Sequence, residues 1–170
     1  MPGPVLHTKR RIRVTRLQFW IEIDPEGAIN DSLVDDAHAA GAVARACFNK
    51  LDCSWVQENF GVLCLNARGR VCGFVLVGVG SLTSTIVHAR EVFAPAMELR
   101  AAHIILVHNH PSGDCTPSPE DVELTERLTS AGRLLGIPVV DHVIIDGTGV
   151  VVSIGVADPD TESVRVRSGG

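Results

Sequence analysis

Hydrophobic and polar positions divide this chain into elements before any residue chemistry is considered. In "RIRVTRLQFWIEI", residues 11–23, apolar and polar residues alternate with the two-residue period of a half-buried strand, and Asp24, Pro25 and Gly27 supply the turn that ends it. The alanine-rich "AHAAGAVARACFNKL" (37–51) reads as a helix. "NFGVLCLN" (59–66) and "VCGFVLVG" (71–78) read as strands joined by "ARGR", a short glycine-containing hairpin loop. In "AREVFAPAMELR" (89–100), Val92, Phe93, Ala96, Met97 and Leu99 fall at helical spacing, with Pro95 as the objection to an unbroken helix. "AAHIILVH" (101–108) is apolar almost throughout, as a strand covered on both faces must be. Residues 119–135 return to a helical period, with Gly136 at the stop, and "IPVVDHVIID" and "GVVVSIGV" predict two more strands. Alternation of this kind defines an α/β fold.

Length and composition narrow the picture. With 170 residues and 45% apolar content, the chain is predicted to form one principal core. Its apolar runs are far shorter than the roughly 18 residues a membrane-spanning helix needs. The opening "MPGPVLHTKRRIRV" places its charges after a very short apolar patch, the reverse of a secretory signal, so a cytoplasmic protein is expected. Five scattered cysteines without a Cys-x-x-Cys pair predict reduced, mostly buried thiols. The formal charge of −5 argues against a protein built mainly to wrap nucleic acid. Lys9, Arg10, Arg11, Arg13 and Arg16 form a local basic cluster, read as a solvated arm with a phosphate-binding patch as the alternative.

The chemistry concentrates in "HNHPSGDCTPSPED", residues 108–121. Residues two apart on an extended segment project to one face, so His108 and His110 direct their imidazoles together while Asn109 points the other way. Pro111, Ser112 and Gly113 turn the chain. "SPED" then opens a helix, with Ser118 as the hydroxyl cap and proline in the first helical position. Asp121 reads either as a capping carboxylate or as the third ligand of a divalent metal. Two neutral imidazoles and one carboxylate leave a fourth tetrahedral position for water, the open arrangement of a catalytic zinc, and zinc lowers the pKa of such a water toward neutrality.

This stretch fits His-x-His, seven residues, Ser, two residues, Asp, and so resembles the JAMM motif of JAB/MPN metalloproteases, most closely the bacterial RadC family. "ENFGVLCLNARGRV", "TSTIVHAREVFAPAMELRAAHIILVHNHPSGD" and "LTSAGRLLGIPVVDHVII" resemble the same family in the same order, over roughly residues 55–150. The resemblance implies a mixed β-sheet flanked by helices in the cytidine-deaminase-like JAB/MPN architecture. It also implies His108, His110 and Asp121 as Zn2+ ligands, Ser118 as a group that holds the oxyanion, and Glu58 as the acid/base that activates water. A carboxylate is a natural acceptor of that proton, and a hydroxyl aimed at a developing alkoxide stabilises the transition state.

The expected organisation is an N-terminal strand and helix over 1–44, lacking the helix-hairpin-helix region usual in RadC proteins, a RadC-like JAB/MPN domain over 45–157, and a flexible tail over 158–170. Cys115 stands where the family often has proline and is read as a loop thiol without a catalytic part. Asp141 and His142 are read as a polar pair on a strand, and His7, His38, His88 and His103 as ordinary surface or core residues. The implied activity is a zinc metallopeptidase cleaving a peptide or isopeptide amide, with a protein partner that includes ubiquitin-like conjugates. The alternative is a DNA-associated or mobile-element accessory protein with a non-proteolytic metal site, for which the basic N-terminal cluster is the best support.

Overall fold

The structure is a computed structural model that describes residues 29, 32–80, 87–156 and 167–168. The strand expected over 11–23 and the basic cluster from Lys9 to Arg16 lie outside the described residues. Helix α1 (Ala37–Lys50) leads into the hairpin β1 (Asn59–Leu65) and β2 (Val71–Val79). Helix α2 (Ala89–Glu98), strand β3 (His103–Asn109), helix α3 (Pro119–Leu135), and strands β4 (Val139–Ile145), β5 (Val151–Ser153) and β6 (Arg167–Ser168) follow. The strands form one sheet in the order β2-β1-β3-β4-β5-β6, with β3 and β4 parallel and every other neighbouring pair antiparallel. This is the mixed sheet flanked by helices that the family resemblance implies. The parallel pair needs a crossover, and α3 supplies it.

Sheet parity assigns each residue to a face. Leu63, Ile105, Val107, Val143 and Ile145 pack against Ala40, Ala44, Cys47 and Phe48 of α1. Phe60, Val62, Ile104 and Leu106 pack against Val92, Phe93 and Ala96 of α2 and Leu124 and Leu128 of α3. The near-continuous apolar character of β3 follows from this double cover. A domain boundary drawn at residue 45 falls inside α1, whose buried face belongs to the sheet core. At the other end, the segment read as a tail from 158 contributes Arg167–Ser168 as β6, paired with Val152 and Ser153 at the edge.

Pro95 sits inside α2 without ending it. The helix is only ten residues long and is held by burial of Val92, Phe93 and Ala96, while Leu99 N–H still donates to the Pro95 carbonyl at 2.9 Å. Tertiary packing thus outweighs the hydrogen bond that proline removes. Two glycines act where the sequence places them. Gly69 closes the β1–β2 turn at φ +71°, and Gly136 ends α3 at φ +69° with its N–H on the Arg133 and Gly132 carbonyls.

The cysteines are free, with Cys47, Cys64 and Cys115 buried. Cys115 packs with Ile144 and Ile154, and burial pushes its thiol up to about 11. No helix among the described residues is long and apolar enough to cross a membrane.

A candidate metal centre at the end of the parallel strand pair

The centre forms where β3 leaves the sheet toward α3. Even-numbered residues of β3 face α2 and α3, so His108 follows Ile104 and Leu106 toward α3 and is fully buried. One residue past the strand, His110 donates its backbone N–H to the Ile145 carbonyl at 3.0 Å, which continues the parallel pairing and keeps the second imidazole in step with the first. The loop then delivers Ser118, the N-cap of α3, and Asp121, its third residue.

Asp121 is both helix cap and part of the cluster. Ser118 and Asp121 form a reciprocal capping box: the Asp121 amide donates to Ser118 Oγ at 3.1 Å, and the Ser118 amide donates to Asp121 Oδ2 at 2.8 Å. The Ser118 hydroxyl also donates to Oδ2, at 2.7 Å. The carboxylate faces both histidines, with Oδ1 3.2 Å from His108 Nε2 and Oδ2 3.5 Å from His110 Nε2, while the two Nε2 atoms lie 2.9 Å apart. The capping and ligand readings of Asp121 therefore coexist.

A count of hydrogens shows what this cluster lacks. His110 Nδ1 lies 2.6 Å from the Asp114 carbonyl, which can only accept, so Nδ1 carries the hydrogen. In the neutral ring Nε2 is then a bare lone pair, aimed at a carboxylate and at another imidazole. Such an arrangement requires a positive charge between the donors. Electrostatics agrees: the Asp121 hydrogen bond is the main influence raising the His110 pKa, against burial. Burial lowers the pKa of His108 despite Asp121. It would raise that of Asp121, but the adjoining His108 and His110 imidazoles outweigh it by favouring the carboxylate, and hold the carboxyl far below the usual range.

A metal ion fits the same point. Ligand atoms about 2.0–2.1 Å from a tetrahedral zinc lie about 3.3 Å from one another; here the two Nε2 atoms are 2.9 Å apart, Asp121 brings Oδ1 to 3.2 Å from one and Oδ2 to 3.5 Å from the other, and one ligand atom from each of the three residues lies within 4.8 Å of the other two. His108, His110 and Asp121 are also the group of His, Cys, Asp or Glu side chains that could hold a metal ion among the described residues. Cys115, in the same loop, is not a member.

Glu58 lies one residue before β1, in step with Phe60 and Val62 on the α3-facing side. Phe60 pairs with His108 across the β1–β3 ladder, and continuing that register by two residues sets 58 opposite 110. Its charge favours the protonated forms of both His108 and His110. Glu91, by contrast, pairs with the exposed Arg90 guanidinium at 3.0 Å on α2.

Two asparagines bracket Glu58. Asn109 points away from the histidines, as strand parity predicts, and is fully buried. Its Oδ1 accepts from the Asn59 amide and from Asn59 Nδ2, each at 2.8 Å, and its Nδ2 donates to the Gln57 carbonyl at 2.9 Å. Asn59 Nδ2 also lies 2.9 Å from the Gln57 and Ser54 carbonyls, so its two hydrogens are shared among three acceptors. The chain on both sides of Glu58 is thereby tied to the strand that carries the histidines.

Sequence reasoning missed a further contributor. His142, read as half of a polar pair, is fully buried with Nε2 2.8 Å from His108 Nδ1 and Nδ1 2.6 Å from Thr125 Oγ1. Its available signal was a lone imidazole in the apolar run "VVDHVII". Asp141 faces elsewhere, accepting from the His142 amide and from Ser153 Oγ at 2.7 and 2.6 Å.

A single mixed-sheet α/β domain with a His–His–Asp cluster at the mouth of its parallel pair defines the class of protein. The family model for the RadC-like JAB domain matches residues 34–158, and the chain belongs to that family. A UPF0758 protein of Caldanaerobacter subterraneus subsp. tengcongensis is 56% identical over 95 residues, covering 55% of this chain and 41% of that protein. A UPF0758 protein of Desulforudis audaxviator is 54% identical over 89 residues, covering 52% and 39%. A third, from Methanosarcina barkeri, is 47% identical over 98 residues, covering 58% and 42%. The chain thus aligns with about two-fifths of the length of these relatives.

Proposed function

We propose that this chain is a metal-dependent hydrolase of peptide or isopeptide amides, with zinc as the metal and a protein partner such as a ubiquitin-like conjugate as the substrate. The observation that carries the reading is the convergence of His108, His110 and Asp121 on one point, with Glu58 in electrostatic reach of both imidazoles. A divalent metal bound there supplies Lewis acidity and makes a water acidic enough to act as a nucleophile at neutral pH.

The chain's own residues do the rest. Glu58 accepts the proton of the attacking water and returns it to the nitrogen of the leaving amine, which departs as a neutral amine. Asn59 and Asn109 hold the backbone on either side of Glu58, tying its Cα to the strand that carries the histidines. Ser118 begins with its hydroxyl hydrogen on Asp121 Oδ2. To steady the oxyanion it must turn that hydrogen toward the substrate, while the Asp121 amide remains on its oxygen to anchor it.

The test is hydrolysis of lysine-isopeptide and linear peptide amides by the zinc-loaded chain, followed by mass spectrometry. Cleavage should be abolished by chelation and restored by zinc. Stoichiometric zinc with no amide cleavage across both substrate classes would refute the hydrolase reading.

A further inference from the structure

The tautomer of His108 is not decided by its immediate partner. A neutral imidazole carries one hydrogen, and His142 Nε2, 2.8 Å from His108 Nδ1, could donate or accept. If His108 carries its hydrogen on Nδ1, the Nε2 lone pair faces His110 and Asp121. If it carries it on Nε2, the lone pair is lost to the cluster. The choice lies two residues further back.

Thr125 sits on α3 one turn after Asp121, fully buried. Its Oγ1 lies 2.6 Å from the Asp121 backbone carbonyl and 2.6 Å from His142 Nδ1. A hydroxyl has one hydrogen. Two oxygens at 2.6 Å require a hydrogen between them, and a carbonyl has none to give, so the Thr125 hydrogen goes to Asp121. Thr125 Oγ1 can then only accept from His142 Nδ1–H. In the neutral ring of His142, that single hydrogen on Nδ1 leaves none for Nε2. Its Nε2 is therefore a lone pair and accepts from His108 Nδ1–H, which leaves His108 Nε2 unprotonated, 3.2 Å from Asp121 Oδ1. The rings are fixed as well as polarised: Phe60 stacks on His108 at an interplanar angle of 18° and meets His142 edge-on at 75°.

We infer that His142 and Thr125 are positioning residues that set the tautomer of His108, so that its Nε2 lone pair is directed at the candidate metal point. The relay starts on the backbone of one cluster member, Asp121, and ends on the side chain of another. The same helical turn that places the carboxylate thereby also prepares the imidazole. This inference rests on the metal-site reading but not on any hydrolytic activity, so amide cleavage neither supports nor sinks it.

Thr125→Val is the discriminating variant, because it keeps the branched shape while removing the acceptor for His142 Nδ1–H. His142 then gains by moving its hydrogen to Nε2 and donating to His108 Nδ1, which forces His108 into the Nε2–H form. Long-range nitrogen–proton correlation spectra of the metal-free chain should show His108 with its hydrogen on Nδ1 in the parent and in Thr125→Ser. The hydrogen should move to Nε2 in Thr125→Val. Zinc affinity, read by competition with a chromophoric chelator, should fall roughly 10- to 100-fold in the valine variant and recover in the serine variant. The parent spectrum needs no substitution, so the test survives a variant that fails to fold. A parent His108 protonated on Nε2, or a folded Thr125→Val variant with an unchanged tautomer, would overturn the inference.

Discussion

Two buried aspartates at the same end of the sheet have opposite fates. Asp146, just past β4, receives the amides of Thr148, Gly149 and Val150 on Oδ1 at 2.7–2.9 Å and the Thr148 hydroxyl on Oδ2 at 2.7 Å. Arg45 Nη2 stands 4.0 Å from Oδ1, and Arg45 Nη1 donates to the Gly147 carbonyl at 2.9 Å. That carboxylate is saturated with donors and holds the β4–β5 turn. Asp121 takes two donors from Ser118 on one oxygen and otherwise faces imidazole nitrogens. At least one of these nitrogens, His110 Nε2, has no hydrogen to offer in the neutral ring. Burial and position are shared; the surplus of electron pairs is what marks a site.

The largest expected effect separates the two acids through metal binding. His110→Ala should lose most of the bound zinc, because it removes a lone pair that nothing else replaces, whereas Asp146→Ala should bind zinc as the parent does. Metal analysis of the purified variants reads both. Equal zinc in His110→Ala and the parent would erase the contrast.

Next in size is Glu58→Gln, which keeps the shape but cannot accept a proton. It should retain zinc while kcat for amide cleavage falls on the order of 10²-fold or more. Glu91→Gln, on the exposed face of α2, should leave turnover within about a few-fold. Parent-like turnover by the zinc-loaded Glu58 variant would reject the proposed proton transfer while leaving the metal site intact.

Asp146 should declare itself through stability. Asp146→Ala leaves three amides of the turn without their acceptor and should cost about 1–3 kcal/mol in denaturant unfolding. Burial would raise its pKa, but the Thr148 and neighbouring amide hydrogen bonds prevail and lower it. A depressed folded-state value means stability that is fully present above the unfolded carboxyl value of about 3.9 and is lost as pH falls through the lower folded value. The stability gap between parent and Asp146→Asn should therefore shrink as pH is lowered below about 4. A gap that widens on acidification would contradict the saturated-acceptor account.

The smallest effect on stability belongs to Ser118→Ala, whose loss of an oxyanion donor should separately lower kcat for amide cleavage by about 10²-fold or more. Loss of the cap should cost about 0.5–2 kcal/mol of stability, with zinc still bound, since the ligand atoms are untouched.

How much of this could be read from the sequence follows from the range of the interactions. The elements from α1 to β5 were legible because period and caps are local: Ser118, Pro119 and Gly136 bound α3 as their chemistry requires. The same-face pair His108 and His110 was legible for that reason too, since parity holds along a single strand. His142 was not, because its meaning depends on the parallel register of β4 against β3, in which Leu106 pairs with His142 and His108 with Ile144. Thr125 was hidden for a related reason: a threonine inside a helix announces nothing until a strand brings an imidazole to its hydroxyl. The persistence of α2 through Pro95 was likewise decided by packing against the sheet rather than by local preference.

The central claim is that His108, His110 and Asp121 present an excess of lone pairs that a single metal ion satisfies, and calorimetric titration of zinc into the metal-free chain at neutral pH tests it most directly. The account predicts saturable binding of one ion per chain, with Asp121→Ala losing most of the affinity and Asp146→Ala none. A folded parent chain that takes up no zinc, or an Asp121→Ala variant that binds it as tightly as the parent, would contradict it.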